Sequence, residues 1–389
     1  MRRRLHWPLC RLRAIVYFKP KDVGYNVRHR LRILPDIVSS SRMKALLLSK
    51  YRHLELTEIP APTPALGEVL VRVAACGICG SDVHGYDGSS GRRVPPIVMG
   101  HEASGKVAAV GHGVTGFSEG DRVTVDSTIY CGACSFCLRG EVNLCDDRQV
   151  LGVSCSDYRR AGAFAEYVAV PPRILHRLPE NLSFAEAAMA EPVAVAVHAV
   201  SLTRVAPNST ALVMGAGTIG LLILQALRAA GCSRVVVADI DRSHLKLAEK
   251  AGATAVLCAT GPDLVAEVLR FAVGTGVDVA VEAVGKNETV NTAIECVRKG
   301  GSVTLVGNIS PEVTIPLQKV VSRQIRLQGS CASAGEYPRA IELLASGAID
   351  VKSLITAIAP LDEGPQWFER LHAREPNLMK VVLTPGMVS

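Results

Sequence analysis

The chain has 389 residues, of which 48% are hydrophobic and 20% are charged. This balance is typical of a globular protein and excludes a disordered or collagen-like chain. One hydrophobic core seldom exceeds about 250–300 residues, so the length predicts two domains. The formal net charge of +7 arises in residues 1–42, where nine Arg and two Lys face two Asp, and this local +9 leaves −2 for the remainder. Because the body of the chain is nearly neutral, we expect no nucleic-acid partner.

Residues 1–42 differ in composition from the rest of the chain. They are Arg-rich, and they contain Pro8, Pro20 and Pro35 but no clean amphipathic helix. An Arg-rich, acid-poor segment is typical of a targeting peptide, but this one lacks the apolar core of about 7–15 residues that a secretory signal needs. We favour the alternative that Met43 is the initiator and that 1–42 is a non-native or disordered extension. No run of about 18 apolar residues occurs, so we expect no membrane span and a cytoplasmic protein.

From Met43 to about residue 177, short apolar runs alternate with Gly, Pro and Asp. Runs of strand length between such turn residues are typical of antiparallel sheets. We therefore predict a barrel-like antiparallel β-domain in this part of the chain. Its predicted strands include 43–48, 68–73, 105–110 and 121–125.

Between residues 211 and 310 the pattern alternates between strand-length apolar runs and helical stretches. This alternation is typical of parallel βαβ units with helices on both faces of the sheet. We therefore predict an α/β domain with a doubly wound parallel sheet of the Rossmann type. The predicted strands are 211–214, 234–238, 277–282 and 302–306, and the predicted helices are 219–230 and 244–250.

A capping signal and the C-terminal segment complete the expected organisation. Ser183 followed by Glu186 has the spacing of a helix N-cap with Glu at its third position. Near the C-terminus we predict one helix, 337–346, and a strand, 380–383, that return to the first domain. The resulting division is a catalytic domain over 43–196, a dinucleotide-binding domain over 197–332, and a return to the catalytic domain over 333–389.

A glycine-rich loop lies between the first predicted strand and helix of the α/β domain. Its sequence is Gly215-Ala-Gly217-Thr218-Ile219-Gly220. In this context the first Gly permits a tight turn, the second lets the backbone approach a pyrophosphate, and the third allows close packing of helix and strand. The helix N-terminus supplies free N–H groups for the phosphates. These residues are therefore predicted to bind a dinucleotide, although a turn without a ligand or a flavin site stays open as an alternative.

The identity of the dinucleotide depends on Asp239. This residue ends the next predicted strand, nineteen positions after Gly220. A carboxylate there accepts hydrogen bonds from the ribose hydroxyls and repels a 2′-phosphate, which favours NAD over NADP. Arg242 opposes this prediction, because a nearby Arg accommodates that phosphate.

Four cysteines form a compact cluster at Cys131, Cys134, Cys137 and Cys145. Thiolates at this spacing can surround one tetrahedral Zn²⁺ and leave no open position, which is typical of a structural site. Disulfides are disfavoured in a large chain without a secretory signal. An iron–sulfur cluster remains a second alternative.

Other residues with metal-ligating side chains are dispersed over the predicted strand ends. Taken singly, each has an ordinary structural interpretation: a small buried Cys, or a His satisfied by hydrogen bonds. Composition alone therefore does not identify them as a site. They are Cys76, Cys79, His84, His101, Glu102 and Glu191.

The order of the motifs resembles that of the zinc-containing medium-chain dehydrogenases. The similarity extends from Met43 to about Pro385, and within the superfamily it favours the polyol branch, that is sorbitol (L-iditol) dehydrogenase. Threonine dehydrogenases and galactitol-phosphate dehydrogenases are similar alternatives. The resemblance implies a GroES-like catalytic domain beside the Rossmann domain. It rests on segments 77–84, 100–105, 120–123, 131–145 and 191–199, together with the glycine-rich loop.

The resemblance also implies the ligands of a catalytic zinc. Cys79, His101 and Glu102 match the protein ligands, with a water or substrate oxygen in the open position. Glu191 matches either a fourth ligand or the carboxylate that holds the zinc-bound water. Asp82 matches a carboxylate that orients the ligating His, as such carboxylates commonly do.

The remaining roles implied by the resemblance concern the proton and the nicotinamide. Ser81 matches the hydroxyl that relays the alcohol proton, and His84 the imidazole that passes it to solvent. The nicotinamide ring is expected against Val306 and Gly307. One departure concerns the substrate: Ala332-Ser333 stands where sorbitol dehydrogenases carry an Arg-Tyr pair.

We therefore predict an NAD-dependent, two-zinc enzyme that oxidises a secondary alcohol such as sorbitol or L-iditol and assembles as a homodimer or homotetramer, as is usual in the family. L-Threonine 3-dehydrogenase and galactitol-1-phosphate 5-dehydrogenase are alternatives with the same chemistry. A non-catalytic NAD-binding protein is a rival from another class. A nucleic-acid-binding zinc protein is disfavoured, because the basic residues near the cysteines are outnumbered by acids; these are Arg139 and Arg148 beside Glu141, Asp146 and Asp147.

Overall fold

The computed structural model describes residues 41–155 and 158–386. The predicted extension over 1–42 lies outside the described residues apart from Ser41 and Arg42. Among the described helices, none is both long and apolar enough to cross a membrane.

The N-terminal part is built mainly of short strands. In chain order its elements are β1 (Arg42–Lys50), β2 (His53–Pro60), β3 (Val69–Gly77), α1 (Gly80–Tyr86), β4 (Ile97–Val98), β5 (Glu102–Val110), β6 (Arg122–Val125), β7 (Thr128–Ile129), α2 (Ser135–Leu138), β8 (Gln149–Val150), β9 (Val153–Cys155), β10 (Tyr158–Arg160), β11 (Tyr167–Val170) and β12 (Leu175–Arg177). Single 3₁₀ turns span Val142–Leu144 and Pro172–Ile174.

The rest of the chain alternates strands and helices. Its elements are α3 (Phe184–Ala188), α4 (Ala190–Leu202), β13 (Thr210–Met214), α5 (Thr218–Ala229), β14 (Arg234–Asp239), α6 (Arg242–Lys250), β15 (Ala255–Cys258), α7 (Leu264–Phe271), β16 (Val277–Glu282), α8 (Asn287–Cys296), β17 (Val297–Leu305), α9 (Leu317–Ser322), β18 (Arg326–Gly329), α10 (Tyr337–Ala345), β19 (Ile355–Pro360), α11 (Gly364–His372) and β20 (Lys380–Thr384). A 3₁₀ turn spans Leu361–Glu363.

A seven-stranded sheet forms the frame of the catalytic part. Its strand order is β12-β6-β5-β3-β20-β19, and β11 also pairs with β3. All pairings except that of β19 with β20 are antiparallel, which confirms the predicted antiparallel domain. The pairing of β3 with β5 places Gly77 opposite Glu102. A Cβ at Gly77 would lie 2.1 Å from a Glu102 carboxylate oxygen, so a side chain at this position would force the carboxylate of the candidate ligand to move.

A six-stranded parallel sheet forms the second domain, in the order β15-β14-β13-β16-β17-β18. The predicted Rossmann-type sheet is thereby confirmed. Gly215 has a φ of +97°, the left-handed conformation that the tight turn after β13 needs. A Cβ on Gly220 would come 1.8 Å from the carbonyl oxygen of Gly215, which is the close packing expected of the third glycine.

The helices around the second sheet show where elements differ from the predicted ones. Helix α4 runs without a break across the predicted boundary at 196/197, because its Ala- and Val-rich sequence contains no helix-ending residue. Helix α10 packs in the same hydrophobic core cluster as α4 and α5, whereas β19 and β20 join the catalytic sheet. Strands β15 and β18 and helix α11 are not among the predicted elements. The predicted division into domains stays a prediction.

Candidate active site

A cleft with a volume of about 480 Å³ is lined by residues of the catalytic part and of the helices and loops around the parallel sheet. Helix α1 and strand β5 border it on the catalytic side, and the glycine-rich loop and the start of α5 border it on the other. Predicted metal ligands, proton-relay residues and dinucleotide-binding residues therefore face one space. From the predicted set these are Cys79, Ser81, His84, Glu102, Gly217, Thr218, Ile219 and Gly220.

Cys79, His101 and Glu102 converge beside this cleft. One ligand atom from each lies within 4.8 Å of the other two. Cys79 is the N-cap of α1, while Glu102 begins β5, so the ends of two elements bring the three together. His101 is buried at 6% exposure and Glu102 at 1%. Thiolate, imidazole and carboxylate donors are common ligands of catalytic zinc sites, where three protein ligands leave a fourth position open.

Asp82 supports two of these residues from the first turn of α1. Its Oδ1 lies 3.3 Å from Nδ1 of His101, and its Oδ2 accepts a hydrogen bond of 3.2 Å from the Cys79 backbone N–H. Burial raises the pKa of Asp82, but the opposite charges of His101 and Arg93 outweigh burial and hold it at about 2. Because Nδ1 of His101 faces this carboxylate, Nε2 is the nitrogen available to a metal.

Lys380 is a buried cation that sequence reasoning missed. Its Nζ lies 2.8 and 2.9 Å from the two carboxylate oxygens of Glu102, and it donates a 3.0 Å hydrogen bond to the carbonyl of Ile78. Burial lowers the pKa of Lys380, but the Glu102 carboxylate raises it above its usual value. A sequence signal existed, because a lysine directly precedes the apolar run of residues 381–383 in strand β20.

Glu191 lies in the first turn of α4 and is buried. Its Oε1 accepts a 3.1 Å hydrogen bond from the Ser127 hydroxyl, and it is not among the three converging ligands. Burial raises the pKa of Glu191, and burial together with the charges of Glu191 and Glu336 raises the pKa of Asp126 to about 7. These buried carboxyl groups make the region receptive to a divalent cation, so the residues present fit a zinc ion.

The four clustered cysteines also come together. One sulfur from each lies within 4.8 Å of the others. Sγ of Cys131 accepts N–H hydrogen bonds from Ala133 (3.4 Å) and Cys134 (3.3 Å), an arrangement that favours thiolates. Hydrogen bonds from backbone N–H groups lower the pKa of Cys134 to about 6. All eleven cysteines in the described part of the chain are free of disulfides, so the thiols remain available to a metal.

The dinucleotide loop has the geometry expected of it. Gly217 caps α5, and the first residues of that helix line the cleft. Asp239 ends β14, where its carboxylate accepts N–H hydrogen bonds from Ala216 (2.5 Å) and Asp241 (2.8 Å). Arg242 is exposed at the start of α6. The Asp239 carboxylate, predicted to recognise ribose, is thus held against the glycine-rich loop.

Val306 and Gly307 follow β17 at the carboxyl edge of the parallel sheet. Their N–H groups donate hydrogen bonds of 2.8 and 3.1 Å to the carbonyl oxygen of Glu282. A Cβ on Gly307 would lie 2.2 Å from the backbone nitrogen of Gly285, so the two turns interlock. Glu282, which sequence reasoning missed, further accepts N–H hydrogen bonds from Val284 and Gly285 with its own carboxylate.

Ser81 and His84, the predicted proton-relay residues, project from α1. The Ser81 hydroxyl oxygen lies 3.1 Å from Nη2 of Arg93, and Nδ1 of His84 lies 3.3 Å from the Ser89 hydroxyl. His84 is exposed and lines the cleft. A group that exchanges protons with water needs this exposure. Arg93 belongs to none of the predicted motifs.

The loop that carries Ala332 and Ser333 is held by a buried polar network. The Asn143 amide donates a 2.7 Å hydrogen bond to the carbonyl of Cys331 and lies 3.3 Å from Nε2 of His198. Nδ1 of His198 in turn lies 2.8 Å from Oε1 of Glu336. The Cys-rich segment, α4 and this loop are therefore connected by side chains.

Comparison with known proteins decides the family. The family described as "Alcohol dehydrogenase GroES-like domain" matches residues 65–180, and "Zinc-binding dehydrogenase" matches residues 218–346. The chain is 36% identical over 348 residues to sorbitol dehydrogenase of Bacillus subtilis (strain 168), covering 88% of this chain and 98% of that protein. It is a zinc-containing medium-chain dehydrogenase of the polyol branch. The predicted family and GroES-like fold are thereby confirmed.

Two further relatives define the range of this dehydrogenase's neighbours. L-Idonate 5-dehydrogenase of Vitis vinifera is 38% identical over 306 residues, covering 76% of this chain and 82% of that protein. The crystal structure of a zinc-binding dehydrogenase from Sinorhizobium meliloti 1021 bound to NADP superposes with a TM-score of 0.81 at 34% identity, covering 89% of this chain and all of that one. The relatives thus differ in substrate, and one of them was crystallised with NADP.

Proposed function

We propose that this dehydrogenase transfers a hydride between NAD and a secondary alcohol of a polyol such as sorbitol or L-iditol, giving the ketose. One observation carries the proposal: Cys79 and Glu102 line the same cleft as the glycine-rich loop at Gly217–Gly220. A substrate oxygen held at the metal ligands is then within the space that the cofactor enters. The sorbitol and idonate dehydrogenases among the relatives support a polyol as the substrate class.

Zinc is the cofactor that the ligand set supports. Cys79, His101 and Glu102 would hold Zn²⁺, with Glu191 as a fourth ligand or as the acceptor that holds the bound oxygen. The ion would supply Lewis acidity, which lowers the pKa of an alcohol hydroxyl so that it ionises near neutral pH. The cysteines of the 131–145 segment would hold a second, structural zinc.

The proton and the hydride leave the substrate in different directions. Ser81 accepts the hydroxyl proton as it passes its own proton on toward His84, and His84, exposed at the edge of the cleft, releases a proton to solvent. The hydride would pass to the nicotinamide, and Val306 and Gly307 would hold its ring. The cofactor supplies the redox chemistry, while the protein supplies position and electrostatics.

NAD rather than NADP is the proposed cofactor, because Asp239 ends β14 beside the loop. A fixed carboxylate there accepts hydrogen bonds from the ribose and repels a 2′-phosphate. The NADP-bound relative makes the opposite result a real alternative. Titration of the protein fluorescence with NADH and with NADPH compares the two affinities directly, and tighter binding of NADPH would reverse the assignment.

The proposal extends to the surroundings of the enzyme. We propose a cytoplasmic homodimer or homotetramer that acts on small alcohols and has no nucleic-acid or membrane partner. Light scattering of the purified protein would give the oligomeric state. A salt-dependent DNA shift assay would contradict the nucleic-acid part if binding were found at physiological salt.

The decisive test is NADH formation at 340 nm by the zinc-loaded protein. The panel comprises sorbitol, xylitol, L-iditol, galactitol, galactitol 1-phosphate, L-threonine and 2,3-butanediol. We expect turnover of free polyols that is lost on chelation and restored by Zn²⁺. Turnover of threonine or galactitol 1-phosphate alone would change the proposed substrate class. We include these substrates because Ala332 and Ser333 have small side chains. Absence of turnover by zinc-loaded protein that binds NAD would favour a non-catalytic NAD-binding protein.

A further inference from the structure

Arg93 is a buried cation beside two groups of the proposed active site. It lies between α1 and β4 and is only 4% exposed. Its Nη2 is 3.1 Å from the Ser81 hydroxyl oxygen and 3.0 Å from Oδ1 of Asp82. Because this nitrogen carries two hydrogens, it can donate one to each acceptor.

The local sequence makes room for this side chain. A Cβ on Gly85 would lie 2.6 Å from Cδ and 2.8 Å from Cγ of Arg93, so α1 carries no side chain where the arginine crosses it. The neighbouring Arg92 is exposed and has no such niche. Arg93 is thus enclosed by the fold, whereas the adjacent arginine is a surface residue.

We propose that Arg93 is a positioning residue for the hydride-transfer reaction, and this inference rests on the proposed function. Through one nitrogen it fixes the Ser81 hydroxyl, and through Asp82 it fixes the ring of His101. Asp82 transmits the second effect because its Oδ1 contacts both Arg93 and, at 3.3 Å, Nδ1 of His101.

The effect on Ser81 follows from hydrogen-bond chemistry. A hydroxyl oxygen has two lone pairs and one hydrogen. Since Arg93 occupies one lone pair, the hydrogen of Ser81 points away from the guanidinium and the second lone pair is free for the substrate proton. Ser81 lines the cleft, so this arrangement presets it as the acceptor there. Without Arg93 the hydroxyl can rotate among competing orientations.

The first variant is Arg93→Lys. Lysine keeps the positive charge that balances the buried Asp82, but its single ammonium group cannot donate to two acceptors from one plane as the guanidinium of arginine does. The matched control is Arg92→Lys, the same change one residue away on an exposed side chain. We measure kcat and KM on the panel alcohol with the highest kcat/KM. We expect R93K to lower kcat by about 10–100-fold, the usual cost of losing a partner behind the metal ligands, with the KM for NAD unchanged, and R92K to behave as wild type.

A double-mutant cycle with Ser81→Ala separates positioning from general support of the fold. If Arg93 acts through Ser81, R93K costs much less kcat in the S81A background than in the wild type. Equal losses in both backgrounds would overturn the part of the inference that acts through Ser81. A wild-type kcat for R93K would overturn the whole inference.

Cobalt reports the second effect without turnover. With Co²⁺ in place of zinc, the visible absorption spectrum reflects the orientation of the His101 ligand, and we expect it to change in R93K but not in R92K. An unchanged spectrum would remove the part of the inference that acts through Asp82. Failure of the proposed function is a different result, because wild-type protein would then turn over no alcohol of the panel.

Discussion

Replacement of Lys380 by Met tests the electrostatic account of the site. The Lys380 ammonium is 2% exposed and lies 2.8 Å from a Glu102 that is 1% exposed. Within the described residues, no other cation is bonded to that carboxylate. Removal of one partner of a buried ion pair costs about 3–5 kcal/mol, because the remaining charge stays buried. We therefore expect metal-free K380M to lose about 3–5 kcal/mol of unfolding free energy.

Zinc should reduce that loss. A zinc ion on Glu102 would supply the positive charge that Lys380 no longer provides, so the carboxylate would not be left unpaired. By thermodynamic linkage, each 1.4 kcal/mol by which zinc reduces the loss corresponds to about tenfold tighter zinc binding by K380M than by the wild type. Although it removes a residue next to the site, the substitution is thus expected to strengthen metal binding.

Urea unfolding with a chelator and with excess Zn²⁺ measures both losses, and chelator competition measures the affinity. Lys352→Met is the control, because Lys352 pairs with Glu186 at 3.3 Å while its side chain is 76% exposed. Such an exposed pair contributes about 0–1 kcal/mol. Equal losses in K380M and K352M without metal would refute the buried-pair argument, and a K380M loss that zinc leaves unchanged would refute the assignment of Glu102 as a ligand.

Three further outcomes are expected. Cys79→Ala should abolish turnover and leave NADH binding nearly intact, whereas Cys134→Ala should lower the unfolding temperature first. Kinetics, fluorescence titration and thermal denaturation measure these three effects. The reverse pattern would mean that the catalytic and structural site assignments must be exchanged. Burial lowers the pKa of His176 to about 4, so the fold disfavours its protonation: the wild type should lose up to about 3 kcal/mol as pH falls from about 6.5 to 4. His176→Phe, which keeps the stack on Tyr337, should lose less over that range in urea unfolding, and parallel pH profiles would contradict this. Asp239→Ser should raise kcat/KM for NADP relative to NAD, and an unchanged ratio would mean that another residue selects the cofactor.

The sequence predicted the elements whose signals are local. Four of the six strands of the parallel sheet, β13, β14, β16 and β17, and helix α5 stand where the apolar runs and the glycine-rich loop predicted them. A domain boundary has no such signal inside α4, since a helix of small apolar residues continues until Thr203. Helix α11 was missed because it begins with Gly364 and Pro365, which as a pair are typical of turns.

The residues of the candidate site also divide into those that a local sequence motif predicts and those that it does not. Cys79, Ser81 and His84 lie on one short segment, so the motif presents them together. Lys380 is separated from Glu102 by 278 positions, and the two come into contact because β20 and β5 both pair with β3. Charges that balance one another across such a distance leave no pattern in the sequence, because either residue alone has an ordinary interpretation.

The loop that carries Ala332 and Ser333 is also held by a contact between residues far apart in the sequence. Cys331 is held through its carbonyl by Asn143, which lies in the Cys-rich segment 188 positions earlier. Ala332, next to it, has a φ of +51°, so the loop turns sharply there. Ser333 is only 4% exposed, and neither Ala332 nor Ser333 is among the residues that line the cleft. Substrate hydroxyls distant from the reacting carbon must then be recognised by residues other than Ala332 and Ser333. For this reason the alcohol panel, rather than the zinc ligands, will show which polyol this dehydrogenase oxidises.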